Sequence, residues 1–178
     1  MKKLPSKPTG RAAGSRTAPV RSAKDEVGLR PVDFDLDQAV PALIARAGMR
    51  MGQAFSKQLK AFELNLAEWR ICASLHNTPH QRLSELARNT AAEPSTLSRT
   101  VDSLMQRKIL VRDRAGEDAR ALALSLTPDG IALTERIIPL AHLYERVAVA
   151  GISRQQVESL KGMLRTLYDN MALLDGDA

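Results

Sequence analysis

The fold is decided by residues 83–130, which read LSELARNTAAEPSTLSRTVDSLMQRKILVRDRAGEDARALALSLTPDG. Two helical patterns come first, over 84–89 and 94–107, with Ser84 as the predicted cap of the first. In the second, Leu97, Val101 and Leu104 recur at helical spacing and form one apolar stripe. Pro94 suits a first helical position, where its missing N–H is not needed. The pattern predicts two helices joined by a tight turn.

Two strand-like runs follow, at 109–114 and 121–126, and the turn-forming residues 115–118 separate them. Helix, turn, helix and hairpin, in this order, are typical of a winged helix-turn-helix. In that fold one helix enters the major groove and another braces it across the DNA backbone. We expect 84–89 to brace and 94–107 to read DNA. The residues expected near base edges are Ser95, Thr96, Ser98 and Arg99.

Helical patterns flank this unit on both sides. The first is predicted from near Asp37 to about Lys60, and a capping box of Asn65 and Glu68 opens the next, which Pro79 stops after about His76. Thr127-Pro128 is predicted to open a helix reaching about Val149, and Ser153 with Gln156 forms a second capping box.

The last helix carries apolar residues at alternating spacings of three and four: Val157, Leu160, Leu164, Leu167, Met171 and Leu174. Such a heptad seam needs a helical partner. The partner is either another helix of the same chain or a second subunit, and we expect the subunit.

Composition sets limits on the class of protein. Hydrophobic residues make up 44% of the 178, but aromatic residues only 3%, which favours a helical core. No apolar run is long enough for a transmembrane helix, and the N-terminus lacks the features of a secretory signal. The single cysteine, Cys72, excludes an internal disulfide. We therefore expect a cytoplasmic protein without a membrane partner.

The net charge of +6 lies entirely in the N-terminal tail, because residues 1–30 hold eight Lys or Arg against Asp25 and Glu26. Residues 1–32 are also poor in large apolar side chains, so we predict that they are disordered. The tail is interpreted either as a solubilising segment or as an arm that touches DNA phosphates.

The decisive stretch resembles the MarR family of transcriptional regulators. The resemblance is carried by the segments 83–87, 94–99, 101–104 and 109–112, and then by Asp118-Ala119-Arg120 and by Leu126-Thr127-Pro128-Asp129-Gly130. With the flanking helices it spans roughly 37–174. It implies a mainly α fold with a small β-hairpin wing. Its parts would be the tail at 1–32, a helical dimerisation region at 33–64 and 128–178, and a winged helix-turn-helix DNA-binding region at 65–127.

The resemblance also implies a homodimer on double-stranded operator DNA. Two recognition helices would lie in successive major grooves, and Arg120 would contact the minor groove or a phosphate. Asp118 would orient Arg120 or pair with Arg99. The expected DNA-binding residues are Ser84, Pro94, Ser95, Thr96, Ser98, Arg99, Arg112, Asp118 and Arg120.

Three positions depart from the family pattern. Ala91 stands where a turn glycine is usual, and Lys108 stands where a glycine usually precedes the first wing strand. Glu93 replaces a short hydroxyl cap before Pro94. Lys108 is expected to need a left-handed backbone.

Members of the family commonly bind a small-molecule effector between the dimer domain and the DNA-reading lobe. Candidate ligands of such an effector are Arg46, Arg50, Trp69, Arg70, Ala73 and His76. An Arg pair near an aromatic ring suits an aromatic carboxylate or the phosphates of a coenzyme A thioester. The tail is similar to that of family members that sense hydroxycinnamoyl-coenzyme A. A solvated Arg pair with a core Trp is the alternative.

Three other functions are alternatives to an effector-responsive regulator. Cys72 could sense oxidants, or share zinc with His76 and with His80 or His142, although a mid-helix Cys is usually inert core. A ligand-independent architectural DNA-binding protein would share the tail and the recognition helix. The sequence contains no phosphate-binding glycine loop, zinc-protease motif, nucleophile elbow or CxxC pair, so an enzyme, a cofactor and a metal site are not expected.

Overall fold

The computed structural model describes residues 34–114 and 122–175. The chain divides into two units at residue 39. The described part of the first unit, 34–39, is a turn in which the Gln38 N–H donates to the Asp35 carbonyl at 3.2 Å. The second unit starts at Val40. The predicted tail at 1–32 and the predicted wing turn at 115–118 lie outside the described residues.

The second unit is helical with one hairpin, as predicted. The helices are α1 (Val40–Leu59), α2 (Leu66–Asn77), α3 (Leu83–Thr90), α4 (Pro94–Gln106), α5 (Pro128–Ala148) and α6 (Arg154–Asp175), and a 3₁₀ turn, Lys60–Phe62, follows α1. The strands are β1 (Leu110–Arg114) and β2 (Leu122–Leu126). None of these described helices is long and apolar enough to cross a membrane.

Side-chain caps mark the starts of three helices, as predicted. The Glu68 N–H donates to Asn65 Oδ1 at 2.9 Å and the Asn65 N–H donates to Glu68 Oε2 at 2.8 Å, which is the predicted capping box of α2. Ser153 and Gln156 form the same reciprocal pair before α6. At α5 the Gly130 N–H donates to Thr127 Oγ1 at 3.0 Å.

The predicted cap of α3 is wrong. Ser84 is the second residue of that helix, and Arg82 is its N-cap. The chain is extended at Arg82, whose N–H donates to Glu85 Oε2 at 2.7 Å. The Glu85 side chain, from the first turn of the helix, therefore accepts the hydrogen bond of the N-cap N–H, and Ser84 is exposed.

The core lies between α2, the helix-turn-helix pair and α5. The predicted stripe of α4 is fully inside it, with Leu97, Val101 and Leu104 at most 1% exposed. Among the described residues, the other large side chains that are less than 2% exposed are Leu59, Ile71, Cys72, Leu75, Leu86, Thr134 and Ile137. This packing holds α4 by one face and leaves its opposite face to solvent.

The hairpin is antiparallel and pairs Leu110 with Leu126 and Arg112 with Leu124. A third segment, not predicted, extends it, because the Leu124 N–H donates to the Gln81 carbonyl at 2.8 Å. At the base of the hairpin, a Cβ on Gly130 would collide with the Ile109 carbonyl oxygen. Only glycine lets α5 pass this close to the end of the recognition helix.

Candidate DNA interface and effector groove

The recognition helix α4 presents its N-terminal turns outward. Ser95, Thr96 and Arg99 are exposed and Ser98 is half-buried, while the stripe on the other face is buried. Pro94 is at the first helical position, as predicted, and Glu93 is the N-cap without a side-chain hydrogen bond to the helix. Short hydroxyls and one long cation therefore project together from the end that carries free backbone N–H groups.

Two left-handed residues bound this helix. Ala91 has φ 50° and ψ 40°, and the Ala92 N–H donates to the Ala87 carbonyl at 3.1 Å, which ends α3. Lys108 has φ 59°, as expected, and the Ile109 N–H donates to the Leu104 carbonyl at 2.9 Å. Both turns are Schellman closures without glycine. Each holds an L-residue in a conformation that costs roughly 1 kcal/mol.

The other predicted DNA-binding residues are less closely grouped. Ser84 lies exposed near the start of α3, and Arg112 on β1 is exposed with its Nη2 3.4 Å from Asp102 Oδ1. A solvated pair of this kind contributes little to stability. Asp118 and Arg120, predicted at the wing tip, lie outside the described residues.

A polar cluster that sequence reasoning missed joins α2 to α3 and the wing. Gln81 is 2% exposed, and its Nε2 donates to the Ser74 carbonyl at 2.9 Å and to the Thr78 carbonyl at 2.7 Å. Its Oε1 accepts from Asn89 Nδ2 at 2.7 Å. The buried polar atoms of this cluster all have hydrogen-bond partners, so the cluster ties α2 to the brace helix α3.

A second missed contact lies at the far end of α4. Arg107 Nη1 is 3.1 Å from Glu68 Oε1, and its Nη2 donates to the Glu63 carbonyl at 2.7 Å. The Glu68 side chain is only 9% exposed. The pair is separated by 39 positions along the chain, and no local pattern could have indicated it.

A groove of about 450 Å³ lies between α1, α2 and α5. Its size is typical of small-molecule sites, and its walls are mostly apolar. Three aromatic rings form one wall: Phe55 meets Trp69 edge-to-face at 5.7 Å between centroids and Tyr144 at 5.3 Å. The polar side chains at the groove are Arg50, Arg70 and Glu145.

The predicted effector ligands are divided by the structure. Arg50, Trp69 and Arg70 line this groove. Ala73 instead lines a neighbouring cleft between α2 and α3, which Trp69 and Arg70 also border. Arg46 and His76 are on neither lining, and His76 Nε2 lies 3.7 Å from Glu135 Oε1 on α5. Three of the six candidates thus share one groove with an aromatic wall.

Cys72 is fully buried in the middle of α2. Burial raises the pKa of its thiol to about 12, and the negative charge of Glu68 adds to this. A neutral thiol is a poor nucleophile and a poor metal ligand. Within residues 34–114 and 122–175, no three His, Cys, Asp or Glu side chains are grouped closely enough to hold a metal ion.

Large apolar surfaces remain open on the outer helices. No side chain from Arg154 to Met171 of α6 is buried, and Leu160, Leu164 and Leu167 are each about two-fifths exposed. On α1, Val40, Leu43 and Ile44 are similarly exposed. The described part of the chain therefore leaves the seam partly uncovered.

Comparisons with known proteins agree with this architecture. Residues 64–122 match the MarR family model. The HTH-type transcriptional repressor IacR of Pseudomonas putida is 24% identical over 131 residues, which is 74% of this chain and 78% of the repressor.

Solved structures extend the match over most of the chain. A MarR-family regulator from Silicibacter pomeroyi is 26% identical with a TM-score of 0.69, covering 76% of this chain and 92% of that one. BpsR of Bordetella bronchiseptica, whose DNA binding is regulated by 6-hydroxynicotinic acid, shares the fold at 24% identity and a TM-score of 0.69, covering 78% of this chain and 99% of BpsR. The resemblance drawn from the motifs is confirmed: residues 64–122 match the MarR family of transcriptional regulators, whose members are not enzymes, and solved structures of that family share the fold over about three quarters of the chain.

Proposed function

We propose that this regulator is a repressor that binds a pseudo-palindromic operator as a homodimer and is released by a small aromatic acid or its coenzyme A thioester. The observation that carries the proposal is the recognition helix, which buries one apolar face and exposes Ser95, Thr96 and Arg99 at its N-terminal end. A repressor of operator DNA acts where the DNA is, in the cytoplasm.

In this proposal Arg99 reads a guanine through two hydrogen bonds, while Ser95 and Thr96 allow the helix to approach the base edges closely. Pro94 and Ser98 lie on the same turns of α4. Ser84 on α3 and Arg112 on β1 are proposed to contact the DNA backbone. The roles of Asp118 and Arg120 rest on the family resemblance alone.

A second copy of the chain is the proposed cover for the exposed seam of α6 and the apolar side of α1. The predicted dimerisation region, 33–64 with 128–178, contains both. At about 25 cal/mol per Å² of apolar surface, two such faces supply a substantial free energy of association. Dimerisation would also set the distance between the two recognition helices, and therefore the spacing of the half-sites.

The effector proposal is supported by the groove between α1, α2 and α5. Its aromatic wall suits a planar ring, and Arg50 and Arg70 suit a carboxylate or phosphate. BpsR, a structural relative, responds to an aromatic acid. A ligand that binds better to the conformation that does not fit DNA shifts the population away from the operator.

The test of the DNA-binding proposal starts from selection of duplexes out of a random pool by the wild-type protein. Arg99→Ala is expected to lose about 1–3 kcal/mol of discrimination at one position of each half-site, as measured by titration of single-base variants. Removing Lys and Arg from residues 2–30 is expected to lower only the salt dependence of binding. Arg146→Ala, an exposed change on α5, is the matched control.

Two results would contradict this reading. If Arg99→Ala keeps full preference at every position, the register of the recognition helix is wrong. If selection by the wild type enriches no sequence, the protein is an architectural DNA-binding protein.

A further inference from the structure

We propose that Arg107 is the positioning residue of the recognition helix, acting through Glu68 and the Glu63 carbonyl to set the angle at which α4 meets DNA. The inference rests on the proposed DNA-reading role of α4. Arg107 immediately follows the last residue of that helix, at the end opposite to Ser95, Thr96 and Arg99.

The Arg107 guanidinium makes two contacts, one through each terminal nitrogen. The guanidinium places Nη1 3.1 Å from Glu68 Oε1 and Nη2 2.7 Å from the Glu63 carbonyl oxygen. The backbone N–H of Arg107 donates to the Ser103 carbonyl at 3.1 Å, so the residue is also tied into its own helix. A planar guanidinium held at two points fixes orientation, which a single point charge does not.

The acceptor side is equally constrained. One Glu68 oxygen receives Arg107 while the other accepts the Asn65 N–H, and the Glu68 N–H is bound to Asn65 Oδ1. The carboxylate is therefore held by the capping box of α2 and is largely shielded from water. Water therefore competes little for the hydrogen bonds of this carboxylate.

The apolar face of α4 fixes the tilt of the helix less sharply than the Arg107 contacts do. Leu97, Val101 and Leu104 hold the helix against the core, but apolar packing is non-directional and permits tilting about the stripe. Ser95 and Arg107 each lie about 9 Å from Val101, the middle of the stripe, at about 1.5 Å per residue, so a tilt of about 5° about Val101 displaces the N-terminal turn of α4 by about 0.8 Å. Two hydrogen bonds to one base do not tolerate such a shift well.

The ion pair between Arg107 and Glu68 also lies next to the groove of α1, α2 and α5. Glu68 lies between Leu66 and Trp69, which both line the groove of α1, α2 and α5. The residue that holds the recognition helix in place is thus part of the first turn of a groove wall.

The experiment compares Arg107→Met, Arg107→Lys and Glu68→Gln with the wild type. Arg136→Met is the matched control, because Arg136 stacks on Phe62 at 5.6 Å beside the same 3₁₀ turn but has no contact with α4 among the described ion pairs. The probes are a duplex selected by the wild type, the same duplex with its half-sites moved by one base pair, and a scrambled duplex. All are titrated well below the lowest melting temperature of the set.

Arg107→Met and Glu68→Gln are each expected to weaken binding of the selected duplex about tenfold, while binding of the scrambled duplex changes less than about twofold. Both should also reduce the penalty for the altered spacing. Arg107→Lys is expected to lie between, and Arg136→Met to match the wild type. Because both partners act through one link, the double variant should lose no more than either single variant.

If Arg107→Met weakens both duplexes and lowers the salt slope by about one while Glu68→Gln does neither, Arg107 is a phosphate contact and the inference is wrong. Unchanged binding in both variants also overturns it. If the wild type selects no sequence, the proposed function fails instead, and hydrogen exchange of the amides at 103–109 decides the inference. Faster exchange in Arg107→Met and Glu68→Gln than in Arg136→Met supports it, and equal rates refute it.

Discussion

At the scale of single residues, Cys72 shows how burial decides chemistry. The thiol lies in the core of α2, and burial, with Glu68 nearby, raises its pKa to about 12. Oxidation and metal binding both require a thiolate that solvent can reach. The redox- and zinc-responsive alternatives therefore need a conformation in which α2 leaves the core.

We predict that Cys72 reacts with a thiol reagent only after unfolding. A folded-state pKa above the unfolded value of 9.0 means that the folded protein binds the proton more tightly, so stability is lost as pH rises from about 9 towards 12. At pH 10 the loss is about 1 kcal/mol relative to Cys72→Ser, measured by urea unfolding of both proteins.

The control is the same labelling reaction in denaturant, where the thiol should react at once. Rapid labelling of the folded protein, or release from DNA by peroxide that Cys72→Ser abolishes, would make Cys72 the sensor.

At the scale of elements, α6 carries an apolar seam that the described part of its own chain does not fully cover. Its apolar seam follows the heptad alternation, yet every side chain from Arg154 to Met171 is exposed or half-buried. Lys161 makes ion pairs with Glu145 of α5 at 3.4 Å and with Glu158 at 3.5 Å, which contribute little in solvent. The helix is thus held weakly by its own chain.

We predict that Leu164→Glu with Leu167→Glu converts a dimer into monomers, as measured by sedimentation velocity. Burying a carboxylate in an apolar seam costs too much free energy when no opposite charge pairs with it. The milder pair Leu164→Ala and Leu167→Ala should raise the dimer dissociation constant while circular dichroism stays unchanged. Gln155→Glu with Thr166→Glu, off the seam, should stay dimeric. An unchanged dimer in the first double variant would mean that subunits meet elsewhere.

At the scale of the whole second unit, α2 connects the proposed effector groove to the recognition helix. One side of it lines the groove with α1 and α5, and its N-terminal turn holds Arg107 at the end of the recognition helix. Moving a dimer from mostly bound to mostly released needs a differential affinity of about 3–5 kcal/mol. Arginine–carboxylate or arginine–phosphate contacts with a buried ring are of that order.

We predict that the groove binds the releasing ligand. In mobility-shift titrations with 6-hydroxynicotinic acid, 4-coumarate and 4-coumaroyl-coenzyme A, Arg50→Ala should raise the ligand concentration needed for release while operator affinity stays nearly intact. Arg46→Ala, one turn earlier and outside the groove lining, is expected to act in the same direction more weakly. Arg146→Ala is the control. If none of these compounds releases the wild type but an oxidant or zinc does, the groove proposal fails.

Much of this architecture was predictable because its signals are local. The capping boxes at Asn65 and Ser153, the proline of α4 and its apolar stripe each act within one or two turns. The contacts that assemble the sites are not local: Arg107 meets Glu68, and Gln81 pairs with Leu124, across long stretches of chain. The cap predicted at Ser84 is wrong because Glu85 reaches back past Ser84 to the Arg82 N–H.

The aromatic wall of the groove has a practical consequence. Trp69 is the only tryptophan in the chain, and its ring meets Phe55, which in turn meets Tyr144. Emission from the native protein excited near 295 nm therefore comes from one side chain, which forms part of the wall of the proposed effector site and also borders the neighbouring cleft between α2 and α3. A compound that enters the groove replaces solvent beside the indole, so its occupancy can be followed optically, without label and without DNA, and compared directly with the concentration that releases the operator.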